Sequence, residues 1–451
     1  MYSNYKKSVL ALSLLIILFL VFNCSKNDDV SKKSALVLKE IDFIKTLGGS
    51  KNESAKSIIK TFDGGYAILG HTQSMDGDVT TKSNTSFDFW LLKYDQKDRL
   101  QWQRTYGGTS DDRGNHIIQT TDGGYAMIGF SRSNDGDITE NAGANDFWVI
   151  KLNDSGTILW QKTYGFLGDD SGVSMIETND NGYLLVGDLD VTASNGEGKN
   201  NSFFSTKHAG GDYWAIKINA LGEKQWSKFY GGSFTDTPYD VIQTKDNGFI
   251  IIGSSDSDDV DIKNEKGTYD FWVVKISETG NLIWEKSFGG SQIDEAYAIS
   301  RSNDGNYIIV GDTRSDDLDV SNNNGAADLW VIKITPSGNL VWEKNFGGIS
   351  FDVGRSISKT QDGSFIISGN SRSADGDLQN NNGQNDAWLL KIDDNGYLKW
   401  KKTIGGSNID YSFSATELND KSIIAVGESA SSDKDIATNK GFTDLLIIKI
   451  K

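Results

Sequence analysis

Carboxylates and short polar side chains are the chemistry-bearing residues that recur most regularly in this sequence. Segment 134–146, NDGDITENAGAND, places Asp135, Asp137, Asn141 and Asp146 in one stretch, and the pattern returns as Asp375, Asp377 and Asp386. Clustered oxygens of this kind suit Ca2+, a hard cation that takes about six to eight oxygen ligands. In the competing reading, these side chains hydrogen-bond their own backbone and start turns. The spacing is not that of an EF-hand loop, and acids at identical places in every copy are what a folding device requires. A further acid stands four residues after each Gly-Gly pair or its equivalent, as Glu53, Asp112, Asp170, Asp236, Asp294, Asp352 and Asp410. These are expected to crowd one rim of the molecule.

Nucleophilic and metal chemistry has less to draw on. The three histidines, His71, His116 and His208, never share a repeat position, which leaves a His-based metal site or a Ser-His-Asp triad without support. No phosphate-cradling glycine motif stands between a strand and a helix. Paired carboxylates leave a glycosidase open, but no catalytic residue is assigned. In the third copy a longer loop, from about Ser194 to Gly211, carries Phe203, Phe204 and His208. Two adjacent aromatics in a polar loop would either anchor a partner or glycan, or fold back over the blade.

These side chains are positioned by a repeat. Glycine pairs or their equivalents begin at Gly48, Gly107, Gly165, Gly231, Gly289, Gly347 and Gly405, at intervals of 58 or 59 residues except for one of 66. An Asp precedes the third predicted strand of every copy (Asp88, Asp146, Asp212, Asp270, Asp328, Asp386, Asp444), and a Lys follows five residues later, from Lys93 to Lys449. All 12 tryptophans fall at two repeat positions, the sets beginning at Trp90 and Trp102. In the second copy, strands a to d are predicted near NHIIQT, YAMIGF, FWVIKL and ILWQKTY. Tight turns at Asp122-Gly123-Gly124 and Asp154-Ser155-Gly156 join a to b and c to d. Strands b and c are nearly continuous apolar runs, which implies sheets covered on both faces.

The expected architecture is therefore all-β: a seven-bladed propeller over residues 36–451, with four antiparallel strands per blade. The last copy stops after strand c, while LKEIDFIKTLG, residues 38–48, reads as a strand d with Phe43 in the place of Trp. Pairing these ends would complete the seventh blade and leave no open edge. The a–b and c–d hairpins would then share one face, and the long b–c loops and d–a crossovers the other.

The composition gives 49 Gly against 2 Pro, and the formal net charge is −17. That charge argues against a nucleic-acid partner, which needs a concentrated basic surface. Residues 1–24 run from Lys6 and Lys7 through an apolar stretch to Cys24, the single cysteine. The layout is that of a secretory signal, and it resembles a bacterial lipoprotein signal in which Cys24 is lipidated. Residues 25–35 form a polar tether similar to those of Bacteroidota surface lipoproteins. An uncleaved membrane anchor is the competing reading.

The phrases W-x-K-x-[YF]-G-G, T-x-D-G-G-Y and D-x-W-x-x-K resemble repeats of Bacteroidota secreted proteins described as propeller-repeat or bulb-lectin-like. The mannose pattern of bulb lectins, Q-x-D-x-N-x-V-x-Y, has no match here, so no sugar-binding residue is carried over. The expectation is a monomeric envelope lipoprotein, on the outer membrane and facing the periplasm or the cell surface. It would act as a binding or adhesion scaffold for a glycan or protein through its long-loop acidic face. A lectin or polysaccharide-active enzyme and a structural subunit of an envelope complex are the alternatives.

Overall fold

The computed structural model describes residues 40–193, 208–378 and 380–451. Cys24, Phe203 and Phe204 lie outside them. The described residues contain 28 strands and no helix. They form seven four-stranded antiparallel sheets. The second blade is representative, with strands Asp112–Gln119, Tyr125–Ser131, Asp146–Leu152 and Ile158–Tyr164, here lettered a to d as in the sequence. Each strand a lies against the strands a of the two neighbouring blades, the seventh against the first, so the seven form a closed inner ring.

Closure follows the expected route. Ile41–Leu47 pairs antiparallel with the last strand, Asp444–Ile450, from Ile41↔Ile450 to Leu47↔Leu445. It serves as strand d of the seventh blade, in the order Ile41–Leu47, Asp444–Ile450, Ile423–Ser429, Asp410–Glu417.

Blades adhere through interleaved apolar faces. Strands b and c are buried almost throughout, and the aromatic before each strand-c Trp packs on the Trp of the next blade. This holds in the four blades that have such an aromatic: Phe89 meets Trp148 at 4.7 Å, Phe147 meets Trp214 at 4.9 Å, Tyr213 meets Trp272 at 4.5 Å and Phe271 meets Trp330 at 4.6 Å, while Leu329 and Ala387 stand at this place in the next two. Removing six such Trp side chains from water, at roughly 25 cal/mol per Å2, makes these seams the main cohesive element. The second Trp set lies over hairpin glycines of the following blade, as Trp102 does beside Gly156, where Tyr106 also donates to the Gly156 carbonyl at 2.6 Å.

The repeated Lys ties strand c to the a–b hairpin of its own blade. Lys93, Lys151, Lys217, Lys275, Lys333 and Lys391 reach Asp63, Asp122, Asp180, Asp246, Asp304 and Asp362 at 2.7–2.9 Å. Lys449 stands 4.0 Å from Asp420 of its own hairpin and bonds Asp98 of the first blade at 2.8 Å, adding an ionic contact across the closure.

Candidate functional site

The long-loop acids are turned toward the fold. Asp135 accepts from the Thr109 amide at 2.8 Å, Asp137 from Gly107 at 3.1 Å, and Asp146 from Ala142 at 2.5 Å. Asn141 accepts from Gly143 at 3.0 Å and donates to the Ser131 carbonyl at 2.9 Å. Asp375, Asp377 and Asp386 repeat this with Ile349, Gly347 and Asn382. Each oxygen set thus serves a different backbone amide, the arrangement of a turn-building device. Among the described residues, no three His, Cys, Asp or Glu side chains gather as metal ligands.

The acids expected on the rim are buried, a correction to the long-loop reading. Glu53, Asp112, Asp170, Asp236, Asp294, Asp352 and Asp410 are all 0% exposed. Each accepts the amide of the residue four before it at 2.7–2.8 Å. Asp112 also takes hydroxyl donors from Ser131 and Ser133. Beside it stands the Asp that begins strand c of the preceding blade, and the two carboxylates close around one glycine. A Cβ on Gly107 would come within 2.8 Å of both Asp88 and Asp112. Burial raises the pKa values of the following aspartates of these pairs, and a neighbouring acid adds to the effect. Asp88, Asp170, Asp212, Asp328 and Asp386 are pushed up to about 6, and Asp236 and Asp270 to about 7.

His208 is held inward as well, 2.6 Å from Asp212 and edge-on to Phe229 at 5.0 Å. Burial opposes its charge, but the Asp212 carboxylate prevails and its pKa is raised.

One position that differs from blade to blade lies on the axis. Every strand a bulges, with a register shift that leaves the third residue after the acid out of the ladder. Those residues are Lys56, Asn115, Val173, Tyr239, Tyr297, Arg355 and Phe413, and all line one axial cavity of about 460 Å3. Five of them, from Tyr239 through Tyr297, Arg355 and Phe413 to Lys56, form an arc of rings and cations. Tyr239 meets Tyr297 edge-on at 4.8 Å, the Arg355 guanidinium lies 4.2 Å from the Tyr297 ring centre, and the Lys56 ammonium 3.8 Å from that of Phe413.

The residue after the bulge steadies the ring. Ser57 accepts from the Ile117 amide, His116 from Met175, Asp240 from Ile299 and Ser414 from Ile58, each across a blade boundary. Burial holds the His116 imidazole down at about 4, so it is a neutral acceptor.

The repeat alignment leads one to expect only the third copy to diverge. Aligning the seven acids and reading three residues on would have exposed this position, where six residue types occupy seven blades.

No protein-family model matches the chain, and no curated protein does. Solved structures do resemble it. A protein of unknown function from Dyadobacter fermentans is 11% identical over 92% of this chain and 99% of its own, with a TM-score of 0.44. The Neurospora crassa Pan2 WD40 domain is 9% identical over 91% and 96%, with a TM-score of 0.48. The β-propeller domain of the Trilobed protease from Pyrococcus furiosus is 10% identical over 92% and 96%, with a TM-score of 0.42. Likeness at this level carries nothing about ligand or activity.

Proposed function

We propose that the chain is a binding protein of a bacterial cell envelope, lipid-anchored at Cys24, that takes a small ligand or the end of a glycan in its axial channel. The observation that carries this reading is where the repeats differ. Seams, hairpins and crossovers reuse much the same residue types from blade to blade, whereas the bulge position puts Lys56, Asn115, Val173, Tyr239, Tyr297, Arg355 and Phe413 around one cavity. A scaffold alone would be served by sevenfold repetition. An asymmetric, half-polar cavity with aromatic walls is the form of a small-molecule site. The anchor rests on the apolar run ending at Cys24. The long-loop face is the weaker candidate, because its regular carboxylates are spent on backbone amides.

A plugged channel tests the site. With Asn115→Trp and Val173→Trp together, the full chain in non-ionic detergent is expected to keep its melting transition and lose capture on an array of neutral and acidic oligosaccharides. Equal capture by the plugged and unaltered proteins, or no capture by either, would sink the channel reading.

A further inference from the structure

The chain carries a formal net charge of −17, yet its axial cavity is lined by three cations, Lys56, Lys60 and Arg355, and a single carboxyl, Asp240. That carboxyl is already occupied. It accepts from the Ser174 hydroxyl at 2.9 Å and from the amides of Val241 and Ile299 at 2.8 and 3.1 Å, and burial lifts its pKa to about 6. Outside the lining, Glu428 stands 3.7 Å from Lys56, and Asp312 acts on Arg355 from further away.

Arg355 has no carboxylate as near as Lys56 has, although burial is outweighed by Tyr297 and Asp312, which raise its pKa. It makes no ion pair within 4.0 Å among the described residues, its Nε is buried without a hydrogen-bond partner, and its guanidinium lies on Tyr297. Burial lowers the Lys56 pKa; Glu428 works against this, while Arg355 and Arg113 add to it, so Lys56 and Arg355 repel one another at the cavity wall. An anion between them would relieve that repulsion while gaining charge-assisted hydrogen bonds.

The remaining wall narrows the class of anion. Tyr239 has no cation over its ring among the described residues, which leaves it as a stacking surface next to the cationic arc. On the remaining arc, Asn115 and Ser174 donate to the Gly172 carbonyl and to Asp240, which leaves their oxygens as acceptors on the wall. Charge, a flat apolar face and scattered polar groups in one cavity match a pyranose ring that carries a carboxylate.

We infer that the axial cavity binds an acidic sugar of the uronate type, its carboxylate held by Lys56 and Arg355 and its ring laid against Tyr239. This rests on the channel being the binding site. The test uses the full chain in non-ionic detergent and isothermal titration with D-glucuronate and, separately, D-glucose.

Glucuronate is expected to bind and glucose to bind at least about tenfold more weakly, the loss of one charge-assisted contact. Arg355→Gln and Lys56→Gln should each weaken glucuronate about tenfold or more, with Arg355→Lys intermediate. Their melting curves, followed by near-ultraviolet circular dichroism, show whether each variant is folded, and the comparison of the two sugars stands without any variant. Equal affinity for both sugars, no glucuronate binding, or folded glutamine variants that bind glucuronate normally would each overturn the inference. Neutral sugar binding that the tryptophan plug abolishes would overturn it while leaving the channel reading intact.

Discussion

At the residue scale, one glycine in each strand b is fixed by the backbone opposite. A Cβ at Gly70, Gly129, Gly187, Gly253, Gly311, Gly369 or Gly427 would lie 1.8–2.0 Å from a strand-a carbonyl oxygen, just ahead of the bulge. The bulge that aims Lys56 or Arg355 at the axis thus depends on a partner strand without a side chain there. Gly369→Ala is expected to cost roughly 3 kcal/mol, since the obstacle is backbone and cannot turn aside. Gly123 is a contrasting case, with φ of +88° in its hairpin and nothing within 4 Å of where a Cβ would stand. Gly123→Ala should cost only about 1 kcal/mol, the strain of a left-handed conformation. Urea midpoints of the two variants check the order, and a larger loss at Gly123 would contradict the crowding argument.

At the element scale, the blade junctions make stability depend on pH in two opposed ways. Carboxyls raised to about 6 or 7, such as Asp328 and Asp270, bind a proton in the folded state that the unfolded chain has released above its ordinary pKa near 4. Their contribution is therefore full at and below about pH 4 and declines as pH rises through 6 to 7. The hairpin acids Asp122, Asp246 and Asp304 behave in the opposite sense. Lys151, Lys275 and Lys333 help draw them down to about 2, and the stability they give is lost as pH falls from 4 toward 2. The melting temperature should therefore peak near pH 4–5, fall gently toward pH 8 and fall again below about pH 4. Asp270→Asn, which cannot ionise, should raise the melting temperature at pH 8 and flatten the upper limb. An unchanged limb would show that this pair does not set it.

These junctions also show what the sequence made legible. Gly-rich hairpins, apolar strands b and c, and tryptophan at two fixed positions are local signals, and they located the strands and the blade count. The role of Asp112 is not local, since its donors include Ser131 and Ser133, about twenty residues away. In sequence it reads as a polar residue at a rim, and only pairing shows it buried. The axial set was obscured because a bulge breaks the alternation by which an inward-facing side chain is recognised.

At the scale of the whole molecule, one added strand decides whether the ring has edges. Ile44 pairs with Ile448 and packs on the core between the sixth and seventh blades, while Phe43 and Leu47 pack on the core between the seventh and the first. Ile44→Asp should destabilise the protein by roughly 3 kcal/mol, by placing a charge where an apolar side chain is packed. It should also speed amide exchange along Asp444–Ile450 ahead of the other six blades. Uniform exchange in all seven would contradict closure by this strand. The pairing Ile41↔Ile450 also constrains the order of events as the chain folds. A contact between residues roughly 400 positions apart carries a loop-closure entropy of about 5 kcal/mol, among the largest one chain can impose. Six blades can assemble as their segments emerge, but Ile41–Leu47 has no partner until Asp444–Ile450 arrives. A polypeptide delivered amino-terminus first must therefore keep Ile41–Leu47 unpaired until Asp444–Ile450 has been made, so ring formation waits on that one strand.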